Sequence, residues 1–339
     1  ISNSIADNLR LKLTGEERKR FDRRDTVNSE AYQAYIRGRF FWNKRSEEGL
    51  KTAIEYFRQA IEKDPDYALA YAGLADTYSI LPQYGSIPPK EAFEIATPAA
   101  AKALELDETI AEAHTALANI HVFWDWDWEG ARKGFVRAIE LNPSYATAHH
   151  WYAFLLMFLG QFDESIEQIT QAQELDPLSL IINANMGFMR YYARRYDEAI
   201  GYYRKAIEMD PNFNEIHWYL GMAYCQKGLY EEAIQELQRA VALSGWPKHQ
   251  GSLGYAYVLA GKKDDAFKII DDLVKRGHDN YYAALIYAAL GDKDRALECL
   301  EKCYRQRSDD IPYLKVDPAL DSLRPDPRFK ALLKKINLE

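Results

Sequence analysis

The chain predicts an all-α solenoid, a stack of about eight helical hairpins, and three observations lead there. Pro143, Pro177 and Pro211 stand 34 residues apart. An alanine-led ladder keeps nearly the same beat through Ala60, Ala103, Ala138, Ala172, Ala206 and Ala240, then Leu273 and Cys303, at intervals of 43, 35, 34, 34, 34, 33 and 30. A second ladder of small residues runs in step: Gly38, Ala75, Ala118, Ala153, Gly187, Gly221, Gly254 and Ala284. A unit of roughly 34 residues buries its apolar face only by stacking on its neighbours. Function is therefore to be sought on a long shaped surface.

Taken in order, residues 1–28 read as an N-terminal helical linker. Ile1, Ile5, Leu9 and Leu13 make an amphipathic stretch, followed by the basic run EERKRFDRR. The first residue is Ile rather than Met, so the chain is expected to be part of a longer protein. The array follows over 29–310, with units near 29–67, 68–110, 111–145, 146–179, 180–213, 214–246, 247–276 and 277–310. In the fourth unit His149, Tyr152, Ala153 and Leu156 form the buried stripe of a first helix. Gly160 ends that helix and Asp163 is expected to cap the second, whose stripe is Ser165, Ile169 and Ala172. Asp176-Pro177 stops it, because proline disfavours helical geometry in the residue before it.

Departures from the beat are also legible. The first unit has extra residues around 42–49, and the second carries the loop LPQYGSIPPK at 81–90. In the third, Trp124-Asp125-Trp126-Asp127-Trp128 replaces the glycine turn. Trp128 is expected to pack and Asp127 to cap, while Trp124 and Trp126 either cover a neighbouring turn or meet a partner. Residues 311–339 read as a C-terminal capping segment. Asp317-Pro318 and Asp326-Pro327 start helical turns, and Phe329, Leu332, Leu333 and Ile336 form one apolar face.

Composition excludes several classes. A net charge of −8 with no basic stripe disfavours nucleic acid. No apolar run reaches the roughly 18 to 20 residues that span a bilayer. Three cysteines argue against a disulfide framework and for a reducing, cytoplasmic setting. Catalytic signatures are missing: no phosphate-binding glycine loop, no His-Glu-x-x-His, no Cys-x-x-Cys, no Gly-x-Ser-x-Gly. Cys299 and Cys303 lie four apart, but Cys303 is a rung of the ladder and burial accounts for it. His149 falls on a buried stripe, where a packed histidine explains it better than a metal ligand. The expectation is a non-enzyme without cofactor or metal.

The small, aromatic, glycine, alanine and proline positions of the three central units resemble the tetratricopeptide repeat. That resemblance implies a right-handed superhelix whose first helices line the concave face, where ligands usually lie. The segments at 31–78, 125–135, 142–153 and 313–329 resemble more closely the C-terminal arrays of bacterial multidomain signalling proteins, which carry kinase, cyclase or winged-helix domains upstream. On the inner face of the first helices His150, Phe154, Met157, Phe188, Tyr191, Trp218, Met222, Tyr255 and Tyr281 make an apolar, aromatic set. Either this set binds an apolar protein or peptide segment, or a tightly wound inner face buries it against adjacent helices. The expected function is non-catalytic protein recognition within a larger regulatory protein. The alternatives are in-cis regulation, with the groove filled by the chain's own linker or upstream domain, and self-association. A clamp of Lys, Arg and Asn for chaperone tails is not expected, because Arg39, Asn119 and Asn185 do not fall together.

Overall fold

The computed structural model describes residues 26, 28–84, 87–276 and 280–339. The expected N-terminal linker falls largely outside the described residues. Among the described residues sixteen helices form eight antiparallel pairs. The first four pairs are α1 (Ser29–Trp42) with α2 (Glu47–Lys63), α3 (Ala68–Ile80) with α4 (Pro89–Leu106), α5 (Ala111–Ile120) with α6 (Trp128–Leu141), and α7 (Ala146–Leu159) with α8 (Phe162–Leu175). The last four are α9 (Leu180–Tyr192) with α10 (Tyr196–Met209), α11 (Asn214–Lys227) with α12 (Tyr230–Ser244), α13 (Pro247–Leu259) with α14 (Lys263–Arg276), and α15 (Asn280–Leu290) with α16 (Lys293–Gln306). A last short helix, α17 (Pro327–Lys335), follows two 3-10 turns at Ile311–Lys315 and Pro318–Leu323. The fold is an all-α solenoid of eight hairpins with a C-terminal capping helix.

Each odd-numbered helix packs on its own partner, on the preceding even helix and on the next odd helix. Odd helices with neighbours on both sides are therefore buried over most of their length: α7 is buried at ten positions, whereas α8 buries only Ser165, Ile169 and Ala172. The small-residue ladder permits this approach. The ring of Phe57 lies between Gly38 and Gly73, and a Cβ on either glycine would sit 2.6 Å from it. One capping expectation is corrected. The N-cap of α8 is Gln161, and Asp163 lies in the first turn, where it pairs with Arg195 at 2.5 Å. Asp127, Asp317 and Asp326 do cap, each accepting a backbone N–H.

The solenoid closes on itself. Trp126 stacks on Tyr304 at 5.4 Å, and Arg307 donates to the carbonyl of Trp124 and lies over both of those indoles. Trp128 donates its indole N–H to the carbonyl of Ile336 at 2.7 Å. Arg194 pairs with Asp321 at 2.8 Å. On the other side, Tyr84 of the second unit meets Trp246 at the end of the sixth edge-on at 5.6 Å. The tryptophan-rich turn of the third unit is thus the seat of the eighth unit and the cap.

Candidate functional site

Closure turns the inner face into a partly open cavity of about 110 Å³. Seven of the nine inner-face residues line it: His150, Phe154, Phe188, Tyr191, Trp218, Met222 and Tyr281. Met157 and Tyr255 are buried beside it but do not line it. Eight of the nine are buried and Trp218 is half-buried, so the set is not a solvated surface. Adjacent odd helices bury part of it, as where Phe154 meets Phe188 and His150 meets Asn185, and the C-terminal segment adds to this. Tyr313, from the turn Ile311–Lys315, lies edge-on to Phe158 at 4.8 Å and to Phe188 at 6.1 Å, and contacts Tyr192 at 5.5 Å. Capping reaches beyond the last repeat to the inner face of α7 and α9.

An aromatic wall runs from Phe154 to Phe188 at 5.6 Å, on to Tyr219 at 4.6 Å and Trp218 at 5.0 Å. Edge and tilted pairings of this kind suit ring quadrupoles. Polar groups are set into the wall. Lys248 bonds Glu215 at 2.8 Å and lies over the rings of Trp218 and Trp246. Burial alone would push the Glu215 carboxyl up, but Lys248 and His249 outweigh it and hold it at about 2. Tyr281 donates to Asp317 at 2.7 Å. His150 and Asn185 approach at 2.7 Å, and burial, aided by the charge of Arg45, pushes the His150 pKa down to about 3.

Arg45, Trp151, Asn185, Glu215, Lys248, Tyr313 and Asp317 were not in the expected set, yet all line the cavity. Two left a trace in the sequence. Arg45 occupies the turn position that is glycine in the fourth and sixth units, and Glu215 is a charge at the start of an otherwise apolar buried helix. Among the described residues no three His, Cys, Asp or Glu side chains are grouped to hold a metal. Burial pushes the Cys225 thiol up to about 12, far from a reactive thiolate. His149 bonds Gln168 and the carbonyl of Pro143, as a packed histidine does. Among the described residues no helix is long and apolar enough to cross a membrane.

Tetratricopeptide-repeat family models match residues 190–248, 146–177 and 281–310. Human protein O-mannosyl-transferase TMTC3 is 31% identical over 118 residues, which is 35% of this chain and 12% of that protein. Among solved structures, the APC/C hetero-tetramer Cut9–Hcn1 aligns with a TM-score of 0.58 at 17% identity, over 90% of this chain and 54% of that one. Yeast Tom70 aligns with a TM-score of 0.51 at 16% identity, over 93% and 69%. The chain thus spans about an eighth of the length of its human relative and about half of the first structure, and the structural likenesses speak for the fold alone. Residues 146–177, 190–248 and 281–310 thus match tetratricopeptide repeats, and the array folds as a tetratricopeptide-type solenoid.

Proposed function

We infer that the chain is a non-catalytic protein- or peptide-recognition module that reads an aromatic-bearing segment on the inner face of its odd helices. One observation carries this reading: a segment already sits there. Residues 311–323 lie across the inner face with Tyr313 against Phe158, Phe188 and Tyr192, much as a short peptide would. The same observation favours in-cis control, since a partner must compete with the chain's own C-terminal segment. The N-terminal linker, the other in-cis occupant expected, lies largely outside the described residues. The chain's resemblance to the arrays of bacterial signalling proteins supports a cytoplasmic sensing or scaffolding role beside an effector domain.

Panning a displayed peptide library against wild type and Tyr313→Ala tests the reading. Tyr313→Ala is expected to select apolar, aromatic peptides more strongly than wild type, because the internal competitor is weakened. Phe188→Ala and Trp218→Ala, checked for native helicity, are expected to lose about 2 kcal/mol or more of that binding. If neither protein enriches any peptide, or both alanine variants bind unchanged, the inner face is not the recognition surface.

A further inference from the structure

Among the described residues, five other than glycine adopt the left-handed backbone conformation: Arg45, Trp126, Arg194, Arg307 and Asn337, with φ between 50° and 63°. Side chains with a Cβ rarely sit there, and such positions persist where surrounding contacts hold them. Four of the five join distant parts of the chain. Trp126 stacks on Tyr304, Arg194 pairs with Asp321, Arg307 lies over Trp124 and Trp126, and Asn337 reaches the carbonyl of Trp126. Arg45 is the exception. It lines the cavity, and its guanidinium has the ring of Trp42 at 3.6 Å but no carboxylate or hydrogen-bond partner among the described residues. Asp76, whose charge reaches Arg45, is bonded to Arg39 at 3.2 Å.

The carboxylates of the cavity wall are already engaged. Glu215 holds Lys248, Asp317 takes the Tyr281 hydroxyl and the Ala319 N–H, and Asp310 takes the Tyr282 hydroxyl. The buried atoms of the wall left without a hydrogen-bond partner are of both kinds, and one carboxylate oxygen of Glu215 is among them. The indole N–H of Trp151 is buried without a partner, and so is one amide atom of Asn185, both side chains being at least nine-tenths buried. Asn185 faces His150, and whichever way its amide is turned, one polar atom bonds His150 and the other is unpaired. A buried polar atom without a partner costs about 1–3 kcal/mol, more if charged. A cation, an indole donor and an amide thus line one cavity beside the carboxylates of Glu215, Asp309, Asp310 and Asp317.

We propose that this cavity is a binding site for a small organic anion, a carboxylate with a short apolar tail, anchored by Arg45 with Trp151 and Asn185 as further hydrogen-bond partners. The carboxylate offers the acceptors that a guanidinium fork matches. The tail lies against Phe154 and Phe188. At about 110 Å³ the space is smaller than the roughly 150 Å³ of an engineered cavity that takes up benzene, so the ligand is compact. This site does not depend on the peptide reading, because it requires the ring to be closed and no second protein.

Trp151 and Trp218 line the cavity, so intrinsic fluorescence reports its occupancy. The full chain is titrated with sodium acetate, butyrate and isovalerate, and in parallel with butyramide and butylammonium chloride at matched ionic strength. A saturable response to at least one carboxylate is expected, with butyramide about tenfold weaker or worse and butylammonium silent. Arg45→Met, which keeps the stem and removes the charge, is expected to weaken carboxylate binding by about tenfold or more. The butyrate-to-butyramide comparison uses wild type alone and stands even if Arg45→Met does not fold. No saturable response to any of the three carboxylates, or equal affinity for butyrate and butyramide, overturns the proposal. So does a folded Arg45→Met that binds as wild type does. None of these outcomes touches the peptide selection, which fails or succeeds on its own.

Discussion

His150 packs against the ring of Trp151 at 5.3 Å and bonds Asn185, and burial keeps it neutral down to about pH 3. In the unfolded chain it protonates near 6.5. Between those values the unfolded state binds more protons than the folded one. Stability therefore rises with pH across that window and is lost as pH falls, by up to about 1.4 kcal/mol per pH unit for one proton. His249, lowered chiefly by burial, adds a contribution of the same sign. Glu215 adds one between its ordinary 4.5 and about 2. His217, raised first by its bond to Glu236, opposes them, since its contribution is present at low pH and lost as pH rises. Asp76 and Asp317, raised by burial, oppose them in the acid range. Comparing wild type with His150→Gln cancels these background groups. Urea midpoints at pH 7, 5 and 4 are expected to fall less steeply in the variant, and equal slopes would mean that His150 is not held neutral. At this scale the sequence was only partly legible. Periodicity placed His150, Phe154 and Phe188 on one inner stripe, because a helix face is a local property. It did not find Arg45 or Glu215, because the first and sixth units come to line one cavity only once the superhelix is wound.

The hairpins themselves were legible, because each depends on residues a few positions apart and on one small-to-large contact with the next helix. Gly187 and Gly201 separate those two requirements. A Cβ on Gly187 would sit 2.5 Å from the ring of Tyr203, which is fully buried and has nowhere to move. Gly201 is an exposed position within α10, and a Cβ there meets nothing within 4 Å. Gly187→Ala is thus expected to destabilise the array by about 1–3 kcal/mol through overpacking. Gly201→Ala should stabilise it by about 0.5–1 kcal/mol through helix propensity. Chemical denaturation of the two variants checks both signs, and the same sign for both would contradict the packing account of the ladder. Helix boundaries were less legible than helix faces. Asp163 has the chemistry of a cap, yet Gln161 holds that place, and α8 starts without a side-chain capping bond.

Closure was not legible from the 34-residue beat, which describes only neighbour-to-neighbour stacking. Its seat was visible as an oddity: the third unit places Trp126 where others place glycine, and keeps the glycine backbone at φ 55°. An open repeat stack has only nearest-neighbour couplings, so distant units can unfold separately. Here the third unit is tied to the eighth unit and the cap through Trp126–Tyr304, Arg307–Trp124 and Trp128–Ile336, so the ends gain a reason to unfold together. Trp126→Gly tests this without straining the turn, because glycine takes positive φ freely and only the ring is lost. Removing a buried indole is expected to cost about 3–5 kcal/mol. The diagnostic outcome concerns cooperativity. In wild type, unfolding followed by tryptophan fluorescence and by helicity at 222 nm is expected to coincide; in Trp126→Gly the two transitions should separate, as units away from the closure melt apart from the rest. A variant that is merely less stable, with both probes still coincident and an unchanged denaturant slope, would show that the contact adds energy without coupling the ends.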